Sequence, residues 1–245
     1  MPSRRSKTLS VSHTKPFIGA GNGERSQLPI DWSSFLRRVE RKRRLLGRLQ
    51  RTSIAPPVGY YQRATFNSFR LEGLDVSEAE VHESLGRGMQ RPMLRSRQGQ
   101  RIRTHAAILR HIENDLREGR PLRTDGVLRW YTGISGGLST TALDRAAAAR
   151  LGDVVQRINS PQLRLRAALQ EIAAAYAQLL ADPLVPGFNG ILARLLLRYH
   201  LGRCRLPAVL FDSEVDGRAW TPDQLVRRLV ELLETSFEEL LSNAK

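Results

Sequence analysis

The chain has 245 residues, 41% hydrophobic and 26% charged, an ordinary globular composition that suits one large domain or one domain with an extension. No apolar run approaches the ~20 residues of a membrane helix, the stretch MPSRRSKTLSVSHTKPF lacks the apolar centre of a secretory signal, and a lone cysteine excludes an internal disulfide, so a reducing cytoplasm is expected, with Cys204 a small packed residue. The formal charge is +15, and residues 1–52 carry +10 of it (13 Lys/Arg against 3 Asp/Glu); such a segment suits nucleic acid, an acidic partner or a membrane surface, and of these weak, non-specific nucleic-acid binding is kept open while no membrane partner is expected.

Residues 1–29 mix Ser, Gly, Pro and charge without periodicity and read as a flexible arm. The glycine stretch KPFIGAGNGER inside it follows no strand and opens no helix, so it is no phosphate loop. From Asp31, a helix cap, Trp32, Phe35, Leu36, Val39, Leu45, Leu46 and Leu49 form an apolar stripe at helical spacing. APPVG at 55–59 breaks the chain. A second helix over 60–72 ends at Gly73, and Ser77 with Glu80 forms a capping-box pattern for a third over 77–85.

Residues 86–98 read as a basic loop. Helices are then predicted at about 100–118, 125–134, 141–158, 161–181, 189–201 and 222–243, with start signals at Thr124 or Asp125, Ser160–Pro161 and Thr221–Pro222. Only LPAVLF, 206–211, has the character of a strand, so the expected fold class is all-α. The segment 91–105 is basic with no aromatic residue. It reads as a solvated loop or, with the basic helix 36–51, as a positive surface giving salt-sensitive, non-specific contacts.

No metal-ligand spacing is present. His105 and His111 are six apart, off a common helix face, and His82 and His200 are isolated, so each reads as a packing or surface residue. Glu72 is the unusual residue. It falls at the negative end of its helix, where a carboxylate is unfavourable by roughly 0.3–1 kcal/mol. Either it points into water or a cation from elsewhere reaches it.

Glu72 belongs to the stretch FNSFRLEGLDVSEAEV, in which Asn67, Ser68, Glu72, Gly73, Ser77, Glu80 and Val81 stand in a definite order. This arrangement resembles the inhibitory helix of Fic (Fido-fold) proteins: Ser or Thr, three residues, Glu, then Gly or Asn. The family's second motif is His-Pro-Phe, any residue, Asp or Glu, Gly-Asn-Gly-Arg, two residues, Arg, then an apolar helix. DPLVPGFNGILARLLL at 182–197 resembles it at Asn189, Gly190 and Arg194. The resemblance covers roughly residues 31 to 211. It implies a Fic-like helical core over 86–211, N-terminal helices with the inhibitory-like segment over 30–85, and a C-terminal helix within 212–245.

The resemblance implies AMP transfer from ATP with Mg²⁺ to protein hydroxyls, but the chemical groups depart from the pattern. The basic His falls at Pro183, or at Asp182 if one residue is inserted, leaving Asp182 as a poor candidate base. The metal-holding acid falls at Gly187, the first Gly at Phe188 and the first Arg at Ile191. Losing the base alone typically costs ~10²–10⁴-fold. The hairpin that aligns targets in the family has only SGGLSTT, 135–141, available here. The expectation is therefore a degenerate Fic-type protein, a pseudoenzyme acting as a binding or regulatory module for an unidentified protein partner. No metal site is assigned, and no cofactor beyond the ATP and Mg²⁺ that the resemblance implies. Asn189, Gly190 and Arg194 would line a nucleotide or anion site, and Ser68, Glu72 and Gly73 would be regulatory through a Glu72–Arg194 ion pair. The alternatives are an active adenylyltransferase with a variant loop, and a basic nucleic-acid-binding protein on the same scaffold.

Overall fold

The computed structural model describes residues 30–49, 56, 59–86, 96–137, 145–160, 164–185, 187–211 and 220–243. The arm at 1–29, most of the APPVG break and of the 86–98 loop, the start signal at Pro161 and the stretch 138–144 lie outside the described residues. The described elements are helices: α1 Trp32–Leu49, α2 Tyr60–Leu71, α3 Glu78–Leu85, α4 Arg97–Glu118, α5 Thr124–Ser135, α6 Arg145–Asn159, α7 Leu165–Ala181, α8 Asn189–Arg203 and α9 Pro222–Ser242. No strand occurs among the described residues, and no helix there is long and apolar enough to cross a membrane.

Helix α8 is the axis of the molecule. Nearly every side chain from Asn189 to Leu201 is buried, as expected for a helix that is apolar all round, and α2, α4, α5, α6 and α7 pack against it. Helices α3 and α4 close one side over α2, while α9 lies across α7 and α1 on the other. The core runs through Phe35, Phe69, Ile112, Leu151, Leu169, Ile172, Tyr199 and Phe237, each at most 1% exposed. Burying side chains of this size contributes ~1.5–3 kcal/mol each.

The caps explain the helix boundaries. Asp31 accepts the N–H of Ser34 (3.1 Å) at the head of α1. Ser77 with Glu80, and Thr221 with Gln224, form complete capping boxes for α3 and α9. Helix α2 closes in a Schellman turn: Leu74 N–H donates to Phe69 O (3.0 Å), Gly73 N–H to Arg70 O (2.9 Å), and Gly73 has the left-handed φ of 77°.

Several predicted boundaries and roles are corrected. Helix α4 begins at Arg97, three residues early, because Ser96 caps it by accepting from Gly99 N–H (2.9 Å). Helix α5 begins at Thr124 with Arg123 as its cap residue, and α7 begins at Leu165 after Arg164, not at Pro161. Leu45 is 39% exposed and faces away from the stripe buried by Phe35, Val39 and Leu46. LPAVLF is mostly buried but forms no strand among the described residues; the Phe211 carbonyl accepts from the Asn67 side chain (2.6 Å).

Candidate functional site: the α2–α8 seam

The C-terminal end of α2 meets the N-terminal end of α8, bringing Ser68, Glu72, Gly190 and Arg194 together. Helix α8 starts without a side-chain cap, since Phe188 occupies the cap position. Its first N–H groups therefore need an acceptor from elsewhere. Glu72 supplies one: its Oε1 accepts from Gly190 N–H at 3.3 Å, and its Oε2 pairs with Arg194 Nη2 at 3.3 Å. The carboxylate that looked misplaced at the negative end of α2 thus sits at the positive end of α8, beside a guanidinium.

Arg194 completes the reciprocal arrangement. The Glu72 N–H turns back to Phe69 O (3.1 Å), and the Ser68 carbonyl accepts from Arg194 Nη2 at 2.7 Å. Arg194 Nε also donates to Ser68 Oγ at 3.2 Å. One guanidinium therefore caps the end of α2 and neutralises Glu72. The side chains of Arg194 and Glu72 are 12% and 8% exposed, so solvent screens this pair little. Gly190 permits the approach: a Cβ there would overlap the Glu72 carboxylate and press on Arg194.

His105 of α4 lies beneath the seam. It is 1% exposed, its ring stands edge-on to Phe69, and its Nδ1 is 2.9 Å from Thr65 Oγ1. Burial first, and the charge of Arg194 second, push its pKa down to about 3, so it is neutral at pH 7. A cavity of about 30 Å³ borders Ser68, His105 and Arg194. That holds roughly one or two waters, whereas nucleotide-sized pockets run ~300–1,000 Å³. Among the described residues no group of His, Cys, Asp and Glu could hold a metal ion. The seam as folded does not fit ATP with Mg²⁺.

The other predicted site residues fall differently. Asn189 is 9% exposed and faces inward. Its Oδ1 accepts from Leu184 N–H (3.0 Å) and its Nδ2 donates to Leu179 O (2.7 Å), so it ties the 182–188 loop to α7. Asp182, the candidate base, ends α7 with its side chain 53% exposed and pairs with Arg150 at 3.0 Å. Phe188 has φ 54°, the left-handed conformation that favours glycine, and its ring stacks under the Arg101 guanidinium at 4.8 Å. Phe188 thus holds a backbone conformation usual for glycine.

Two features went unread in the sequence. Arg198, one turn beyond Arg194, is 4% exposed and makes a two-pronged pair with Glu113 of α4 (2.7 and 2.6 Å). An arginine on an otherwise apolar helix is the signal that calls for such a partner. The Arg101–Phe188 stack carried no comparable signal. His200 is buried with its pKa pushed down to about 4, and burial lifts the Cys204 thiol to about 11, as suits packed groups.

Sequence comparison finds no match, neither to a protein-family model nor to a curated protein. Structure comparison does. The chain superposes on a fragment of Fic-1 from C. elegans with a TM-score of 0.70, covering 87% of this chain and 72% of that one at 20% identity. The fold is that of a Fic domain. A Glu-to-Gly variant of the same Fic-1 fragment gives a TM-score of 0.66 at 20% identity, with the same coverage. A Fic-domain-containing signaling protein from Bacteroides thetaiotaomicron gives 0.60 at 17% identity, covering 86% of this chain and 96% of that one. At these identities the likeness is one of fold.

Proposed function

We propose that this chain is a Fic-fold protein without efficient AMP transfer, acting as a binding or regulatory module with Glu72 holding α2 against α8. One observation carries the reading: the groups a nucleotide would need at the head of α8 are already engaged from inside the protein. Gly190 N–H and Arg194 hold Glu72, and Asn189 holds its own loop. The residues at the positions of the base, the metal-holding acid and the first Arg do not restore the chemistry, since Pro183, Gly187 and Ile191 carry neither a base, a carboxylate nor a cation.

A second reading rests on the same seam: an adenylyltransferase with Asp182 as base, held off by Glu72. A lock is of most use over a working centre. The experiment separates the two. Wild type and Glu72→Gly are incubated with ATP labelled at the α-phosphate, Mg²⁺ and a bacterial lysate, with folding checked by circular dichroism. The module reading expects no label on protein from either form. Label that rises in Glu72→Gly and disappears in Glu72→Gly/Asp182→Ala would establish the second reading instead.

A further inference from the structure

Two residues on the wall of the small cavity beneath the seam each leave a polar atom without a partner. His105, 1% exposed, has none for Nε2, and Arg198, 4% exposed, has none for Nη1. Buried polar groups left unmade are costly and rare, so each calls for an occupant. Both atoms are donors. Thr65 Oγ1 meets His105 Nδ1 at 2.9 Å and makes no other hydrogen bond among the described residues. A hydroxyl hydrogen needs an acceptor, so Thr65 donates to Nδ1, and the proton of the neutral ring is assigned to Nε2. Arg198 spends Nε and Nη2 on Glu113, which leaves both Nη1 hydrogens over.

The charges around the cavity are arranged with the same sign. It lies where α2, α4 and α8 meet the 209–211 segment, and both Arg194 and Arg198 line it. Their carboxylate partners, Glu72 and Glu113, do not. Among the described residues no Asp or Glu lines the cavity, and the rest of the wall is largely apolar, with Leu109, Leu197 and Phe211 on it. The wall therefore offers two cations and spare donors, and no anionic side chain.

We propose that this cavity binds one small monoatomic anion, chloride, held by His105 Nε2–H and Arg198 Nη1 in the field of the two guanidiniums. Chloride only accepts hydrogen bonds, which matches a wall with donors left over. A water accepting from both groups would have two hydrogens of its own to place against mostly apolar side chains. Size excludes larger anions: a volume of about 30 Å³ takes one or two water-sized groups, not a sulfate or a nucleotide. Enclosure favours the anion, since its attraction to a guanidinium is screened far less here than in water. The site shares Arg194 with the seam but does not depend on whether the seam transfers AMP.

The test is thermal unfolding of the full chain at pH 7, with chloride raised from ~1 to ~200 mM and gluconate, too large for the cavity, making up the ionic strength. A basic protein attracts chloride over its whole surface, so wild type is compared with His105→Leu, which removes one donor. The wild-type Tm is expected to rise by about 2–5 °C and then to level off, as binding at a single site does. His105→Leu is expected to lose at least half of that rise. Should this variant fail to fold, wild-type crystals soaked in sodium bromide decide: an anomalous bromide peak is expected in the cavity, within reach of His105 and Arg198. Three results overturn the proposal: a wild-type Tm that is flat or rises without levelling off, a full rise kept in His105→Leu, or a cavity without an anomalous peak, which would make its occupant water.

Discussion

The stretch from Asp182 to Arg194 has two ends that behave in opposite ways. Its helical end is buried and held from outside: Gly190 and Arg194 engage Glu72, with side-chain exposure of 12% and 8% for the pair. Its loop end is open, where Arg150 and Asp182 pair with side chains 35% and 53% exposed. Two ion pairs within one short segment therefore differ in kind. The buried one has no water to replace a lost partner, and the exposed one does. The buried pair joins two helices, and the exposed pair joins a loop to a helix.

The largest effect should come from removing one partner of the buried pair. Arg194→Ala leaves Glu72 without its cation and the Ser68 carbonyl without its donor, and is expected to cost about 3–5 kcal/mol in urea unfolding. A loss below about 1 kcal/mol would place this pair in the same class as Arg150–Asp182 and break the contrast.

Gly190→Ala comes next. Its Cβ overlaps the Glu72 carboxylate, so the expected loss is about 1–3 kcal/mol. In a Glu72→Gly background the carboxylate is gone, and only the end of the flexible Arg194 side chain, at 3.1 Å, stays close. There the same substitution should be neutral or stabilising by up to about 1 kcal/mol, since alanine favours helix. Equal cost in both backgrounds would mean that Glu72 does not occupy this space.

A smaller effect is visible through pH. The folded-state pKa values of His105 and His200 are lowered to about 3 and about 4, from 6.5. Stability is then full above about pH 6.5. It falls as pH drops toward 4, because the unfolded chain takes up protons that the folded chain excludes. Each histidine contributes up to about 1.4 kcal/mol per pH unit in that window. His105→Gln should remove about half of this slope in unfolding measured at pH 6, 5 and 4.5, and an unchanged slope would contradict the burial of His105. The smallest effect belongs to the loop: Asp182→Ala should change stability by less than about 1 kcal/mol.

How much of this was legible depended on whether a residue's need was local. The stripe of Phe35, Val39 and Leu46, the capping box at Ser77 and the start signal at Thr221–Pro222 state their structure within a few residues, in keeping with the all-α architecture. A carboxylate at the wrong helix end asked either for water or for a distant cation, and it was the resemblance to the Fic inhibitory helix that named Arg194 as the partner. Ser96 was missed because the arginines after it disguise a helix start. Six apolar residues at 206–211 suggested a strand, but a strand requires a neighbour, and here the Asn67 side chain meets the Phe211 carbonyl instead. Asn189 looked like a ligand group because its two partners, Leu184 and Leu179, are brought to it only by the turn of the loop.

The central claim is that Glu72 and Arg194 act as one unit joining α2 to α8. A double-mutant cycle with Glu72→Ala, Arg194→Ala and the combined variant, followed by urea unfolding at pH 7, tests it most directly. The account predicts that each single change is costly and that the second adds little, giving a coupling energy of at least about 2 kcal/mol. Losses that simply add, to within about 0.5 kcal/mol, would show two independent residues and contradict the account.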